Sequence, residues 1–99
     1  METIRLNHLN NAFRLEGSEK RRNLELYSVS VQEWPAGEAT LKLVVVDEKD
    51  VPIYSQPLAP SQQNEEISIG KTFGFYDHLS VQLRAEPDGS PFEALVHFK

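Results

Sequence analysis

Between Leu24 and Asp47 the chain alternates apolar and polar residues through two runs, LELYSVSVQEW and EATLKLVVVD, parted only by Pro35-Ala36-Gly37. Alternation with period two sends one set of side chains to a buried face and the other to water. The stretch therefore predicts β-strands and limits the chain to a sheet-based fold. The short connection predicts a hairpin, because Pro35 pre-sets its own φ and Gly37 can take the left-handed conformation that closes such a loop. With Trp34 opposite Glu38, Val31 meets Leu41, Val29 meets Leu43 and Tyr27 meets Val45, all on one face. Ser28, Ser30, Gln32, Thr40 and Lys42 make the other face and read as solvent-facing. Val44 and Val46 interrupt that polar face, with Leu26 opposite Val46. An apolar patch there predicts cover, either by the N-terminal segment or by another chain.

The remaining segments carry the same period in shorter pieces. Ile4 and Leu6, then Phe13 and Leu15, alternate with polar neighbours on either side of Asn7, Asn10 and Asn11, which favour turns. Residues 17–23 are the most polar stretch and read as a loop, so residues 1–23 form either an assembly arm or edge strands. Val51 to Tyr54 predicts a short strand, placed at an edge because Pro52 has no N–H for a ladder. Gln56 to Asn64 reads as a crossing loop, Glu65 to Gly70 as a strand with Ile67 and Ile69 inward, and Lys71 to Asp77 as an aromatic loop. Leu79, Val81, Leu83 and Ala85 alternate cleanly, as do Phe92, Ala94, Val96 and Phe98, and the turn from Glu86 to Pro91 predicts a closing hairpin. The expectation is all-β: a single antiparallel β-sandwich of about seven or eight short strands spanning residues 1–99. Its predicted core holds Tyr27, Val29, Val31, Leu41, Leu43, Val45, Leu79, Val81, Leu83, Val96 and Phe98.

Composition narrows the function. Fifteen acidic against ten basic residues give a formal charge of -5, which argues against phosphate-backbone binding, a task that needs excess Lys and Arg. Mean hydropathy is -0.44, and the longest apolar run, Leu43 to Val46, is far too short to span a bilayer. The first residues lack the apolar core of a signal peptide. With no cysteine in the chain, disulfides, thiolate metal sites and a thiol nucleophile are excluded, and a reducing cytoplasm is the expected place of assembly. The expected partners include neither nucleic acid nor membrane.

No motif for catalysis, cofactor or metal binding stands out. His8, His78 and His97 have no second histidine at metal spacing. Asp77-His78 lies near Ser80, but neighbours on an extended chain point apart, and a triad needs a geometry that spacing alone does not supply. Asp47, Glu48 and Asp50 offer calcium-type oxygens without the spacing or glycine of a calcium loop, and read as a solvated turn. Lys20-Arg21-Arg22 is flanked by Glu16, Glu19 and Glu25, so its charge nearly cancels. The aromatics are more informative. Trp34 at the hairpin tip, with Phe75 and Tyr76 in the aromatic loop, fits three roles: plugging an open end of the sandwich, anchoring a protein partner, or stacking on a carbohydrate. Ile4, Leu6, Leu26, Val44 and Val46 complete the partner-contact candidates. No catalytic residue, metal ligand or cofactor is expected, and the chain reads as a non-enzymatic module that works by contact, including contact within a homo-oligomer.

The segments YSVSVQEWPAGEATLKLVVVDE and FYDHLSVQLRAEPDGSPFEALVHFK resemble small β-sandwich virion proteins of tailed bacteriophages, such as head-decoration and other accessory structural proteins. The resemblance implies a virion component that docks on capsid or other virion subunits and assembles in the host cytoplasm without a cofactor. Its alternative is a carbohydrate-binding sandwich, cytoplasmic in location, that uses the loop-tip aromatics.

Overall fold

The computed structural model describes residues 2–35, 37–59, 65–87 and 89–99. Ala36, Asp88 and residues 60–64 of the expected crossing loop lie outside the described residues. Eight strands follow in order: β1 (Glu2–Asn7), β2 (Ala12–Glu16), β3 (Asn23–Glu33), β4 (Thr40–Val46), β5 (Pro52–Leu58), β6 (Glu66–Gly74), β7 (His78–Glu86) and β8 (Glu93–Phe98). They form two four-stranded antiparallel sheets, sheet A in the order β1-β8-β3-β6 and sheet B in the order β2-β7-β4-β5. The fold is an all-β sandwich, as the alternation predicts. The two N-terminal strands each occupy one edge, β1 of sheet A and β2 of sheet B.

Both predicted hairpins are corrected. β3 pairs with β6 and β8, whereas β4 pairs with β5 and β7, so the chain crosses between sheets after Trp34. Likewise β7 and β8 lie in different sheets. The alternation itself survives, because Val29, Val31, Leu41, Leu43 and Val45 all point into one core. They come together across the gap between sheets rather than side by side along a ladder. Gly37 does take a left-handed φ of 72°, but it serves a crossing connection. Pro35 and Ala39 in that connection are buried and help to close the end of the sandwich.

A bulge explains two further differences. The register of β3 slips between Leu26 and Ser28 against both of its neighbours: against β8 Tyr27 is the extra residue, whereas against β6 the extra residue lies on β6, where Gly70 has a φ of 60°. One inserted residue inverts the phase of a strand, so Leu24 and Leu26 face the core before it and Val29 and Val31 after it. Tyr27, expected in the core, is half-buried on the outer side, where its hydroxyl donates to Glu25 Oε2 at 2.8 Å. Leu26, expected on the outer face, belongs to the core cluster. β5 continues to Leu58, and β6 takes in Lys71 to Gly74, so parts of the expected crossing loop and aromatic loop are strand.

The core runs the length of the sandwich and includes Leu6, Leu79, Val81, Leu83, Ala94, Val96 and Phe98. Its two open sides are closed by rings reaching from one sheet to the other. Phe13 of β2 stacks on Phe98 of β8 with centroids 5.0 Å apart, and Tyr54 of β5 meets Phe73 of β6 at 5.5 Å. Such pairs contribute about 0.5–1.5 kcal/mol beyond their buried area, and they tie the edge strands β2, β5 and β6, each with a single ladder partner, to the opposite sheet.

Candidate interaction surface

Strand directions sort the connections into two ends. Ser80 lies opposite Val46, and Asp77 N–H donates to Glu48 Oε2 at 2.9 Å, so the β4–β5 and β6–β7 turns share one end. The 17–22 loop joins them there, through Gly17 N–H to the Asp77 carbonyl at 2.6 Å and Phe75 N–H to the Arg22 carbonyl at 2.9 Å. The far end holds the Asn7–Asn10 turn, residues 34–39 and the approach to β8.

The candidate contact residues divide between core and surface. Leu6 and Leu26 are buried in the core. Val44 and Val46 are 1% and 4% exposed. They lie on the central strand β4, flanked by β5 and β7, and the predicted cover comes from within the chain. Ile4, Trp34 and Phe75 are half-buried and pack against the core. Tyr76 alone among the aromatics of the described residues is largely exposed, at 77%. The Arg22 guanidinium sits 4.6 Å from its ring centroid and donates to its carbonyl at 3.4 Å. A sugar would therefore find one free ring, already faced by a cation, rather than a platform of two.

The polar clusters are engaged in local structure. Asp47 Oδ1 accepts the N–H groups of Lys49 and Val51, both at 2.9 Å, which shapes a turn whose Asp50 has a φ of 59°. Among the described residues no group of three His, Asp or Glu side chains is placed to hold a metal. His78 Nδ1 lies 3.4 Å from Asp77 Oδ2, whereas the Ser80 hydroxyl accepts from Gln82 Nε2 at 3.3 Å. Of the basic run, Arg21 approaches the Phe98 ring at 5.9 Å and Glu2 at 4.0 Å.

Several surface features escape the sequence reading. Large apolar side chains stand free at two turns, Leu9 at 86% exposure and Val51 at 50%, and at the start of β5, Ile53 at 46%. Val51, Ile53 and Tyr76 belong to the same end of the sandwich. A groove of about 470 Å³ also crosses sheet B at the far end, between Lys42, Arg84, Glu86, Pro57, Leu58 and Asn11. Polarity alternation marks Lys42 and Arg84 as outward, but only the β4–β7 pairing sets them side by side.

No protein-family model matches the chain, and no curated protein sequence matches it significantly. Solved structures do match. The NLP-core of Drosophila, described in terms of pentamer formation and histone binding, aligns at a TM-score of 0.59 and 11% identity over 99% of this chain and 96% of its own. A glycosylation-associated protein, Gap123, from a complex of Streptococcus agalactiae aligns at a TM-score of 0.34 and 19% identity, covering 99% of this chain but only 22% of its own. The first likeness defines the class: an eight-stranded β-sandwich with the fold of NLP-core. Neither structure comes from a bacteriophage.

Proposed function

We propose that the chain is a non-catalytic contact module that assembles with copies of itself and presents the Val51/Ile53/Tyr76 end to a partner protein. The observation that carries this reading is the gathering of those three large exposed apolar side chains at one end of a small sandwich, whose far end exposes Leu9. Exposed apolar side chains gathered at one place mark interaction sites more often than scattered ones do. The fold shared with NLP-core, a pentamer-forming protein, supports the self-assembly part. The resemblance to phage virion proteins names a narrower assembly of the same kind, with capsid or other virion subunits as partners, and co-sedimentation with a particle tests it.

Sedimentation equilibrium of the full chain tests the central claim. The expected mass is a multiple of the 11.3 kDa chain. A mass of one chain at every concentration, together with retention on a defined glycan, would overturn the reading in favour of a sugar-binding module.

A further inference from the structure

The groove on sheet B is lined by two cations, Lys42 and Arg84, and one carboxylate, Glu86. Lys42 and Arg84 are register partners on β4 and β7, so ladder geometry sets their Cα atoms roughly 5 Å apart. Like charges directly opposite one another weaken a ladder. Among the described residues neither forms an ion pair: Arg84 Nε donates to Gln82 Oε1 at 3.0 Å, and Glu86, two positions on, does not close on it. Pro57 and Leu58 give the groove an apolar wall.

The outer face of sheet A shows the same arrangement with the sign reversed. Glu33 and Glu93 are register partners on β3 and β8, and Glu66 stands opposite Ser30 on β6. Among the described residues Arg5 is the one cation paired with them, 3.5 Å from Glu93, and Glu66 Oε1 accepts from the Ser28 hydroxyl at 2.6 Å. These carboxylates lie at the end where β3 finishes and β6 and β8 begin. It is also the end where β4 begins and β7 finishes. One molecule therefore carries opposite, incompletely neutralised charge on its two outer faces, towards the same end of the strands.

We infer that the Lys42/Arg84 groove receives the Glu33/Glu66/Glu93 face of a second copy, an inference that rests on the self-assembly reading above. A free acid or a foreign acidic peptide would answer the cations but leave Glu33 and Glu93 opposed. A second copy relieves both faces at once, which is why it is the occupant the structure favours. The contact joins two different surfaces and is heterologous, so every copy offers one of each and the assembly propagates. Such an assembly forms a ring where the rotation between copies closes and an open filament where it does not.

Charge reversal on the full chain, read by sedimentation velocity at low ionic strength, tests the pairing. Lys42→Glu with Arg84→Glu, and separately Glu33→Lys with Glu66→Lys, are each expected to weaken self-association at least about tenfold. An equimolar mixture of the two variants is expected to recover to within about threefold of wild type, because each reversed groove then meets a reversed face. Circular dichroism checks that the variants fold, and Lys42→Ser with Arg84→Ser, expected to weaken assembly in the same direction, serves if the reversed groove does not. Folded variants that assemble like wild type, or a mixture that fails to recover, would overturn the inference while leaving self-assembly standing. A wild-type chain that stays monomeric would instead remove the self-assembly reading, and one that also titrates free glutarate at the groove would make this a small-anion site.

Discussion

Single residues show how little slack the sandwich has. Leu43 is fully buried at the centre of β4, between β5 and β7 in its own sheet and with sheet A packed against it. Leu43→Ala removes its contacts and leaves a cavity, and is expected to cost about 2–5 kcal/mol in urea unfolding, a large share of a small domain's stability. Gly17 is constrained differently. A Cβ there would collide with the Tyr76 carbonyl oxygen, and the clash is with backbone, which cannot rotate away. Gly17→Ala should therefore loosen the end bearing Tyr76, seen as faster amide exchange at Gly17 and Phe75, whose N–H groups bond across that junction. At Tyr27 the hydrogen bond to the Glu25 carboxylate, with partial burial and the negative charge added, raises the phenol pKa above its ordinary value of 10.0. A raised folded pKa means that the stabilisation is complete below the unfolded pKa and is lost as pH climbs through the folded one. Its effect is confined to alkaline solution above about pH 10. Glu25→Gln should lower the Tyr27 midpoint, followed by phenolate absorbance.

At the level of the strands, the absence of cysteine from the chain gives a clean test of pairing. Thr40 and Glu86 are register partners on β4 and β7 and both are exposed. Their Cα separation in an antiparallel ladder suits a disulfide, so Thr40→Cys with Glu86→Cys should cross-link on oxidation. Gln32→Cys with Thr40→Cys, which a β3–β4 hairpin would place side by side, should not. The bulge at Tyr27 has a comparable role in β3. It lets an eleven-residue strand keep Leu24 and Leu26 as well as Val29 and Val31 in the core, where an uninterrupted period of two would turn one pair to water. The Val44 and Val46 side chains show why position within a sheet matters as much as polarity. Both are buried on the central strand β4, although they lie outside the core cluster between the sheets.

For the molecule as a whole, stability comes from one core between two sheets, closed at its sides by Phe13–Phe98 and Tyr54–Phe73. The acidic turn at Asp47 is held by its own backbone N–H groups and needs no ion for its shape. EDTA is accordingly expected to leave the melting temperature of the full chain unchanged in a calorimetric scan. A fall of several degrees that calcium restores would identify Asp47, Glu48 and Asp50 as ligands. The amino-acid order alone determined the class of fold and most of the core, because a period of two records which side of a strand is dry whatever the strand pairs with. Val29, Leu41, Leu83 and Val96 were legible in that way. Partner choice was not, since every strand here carries the same alternation and a short connection suits a hairpin or a crossing between sheets. Tertiary packing decided that β3 and β4 face each other across the core, inserted Tyr27 as a bulge, and covered Leu26, Val44 and Val46. It alone placed Lys42 beside Arg84 and Glu33 beside Glu93, because charges distant in the chain become neighbours only when the ladder register is set.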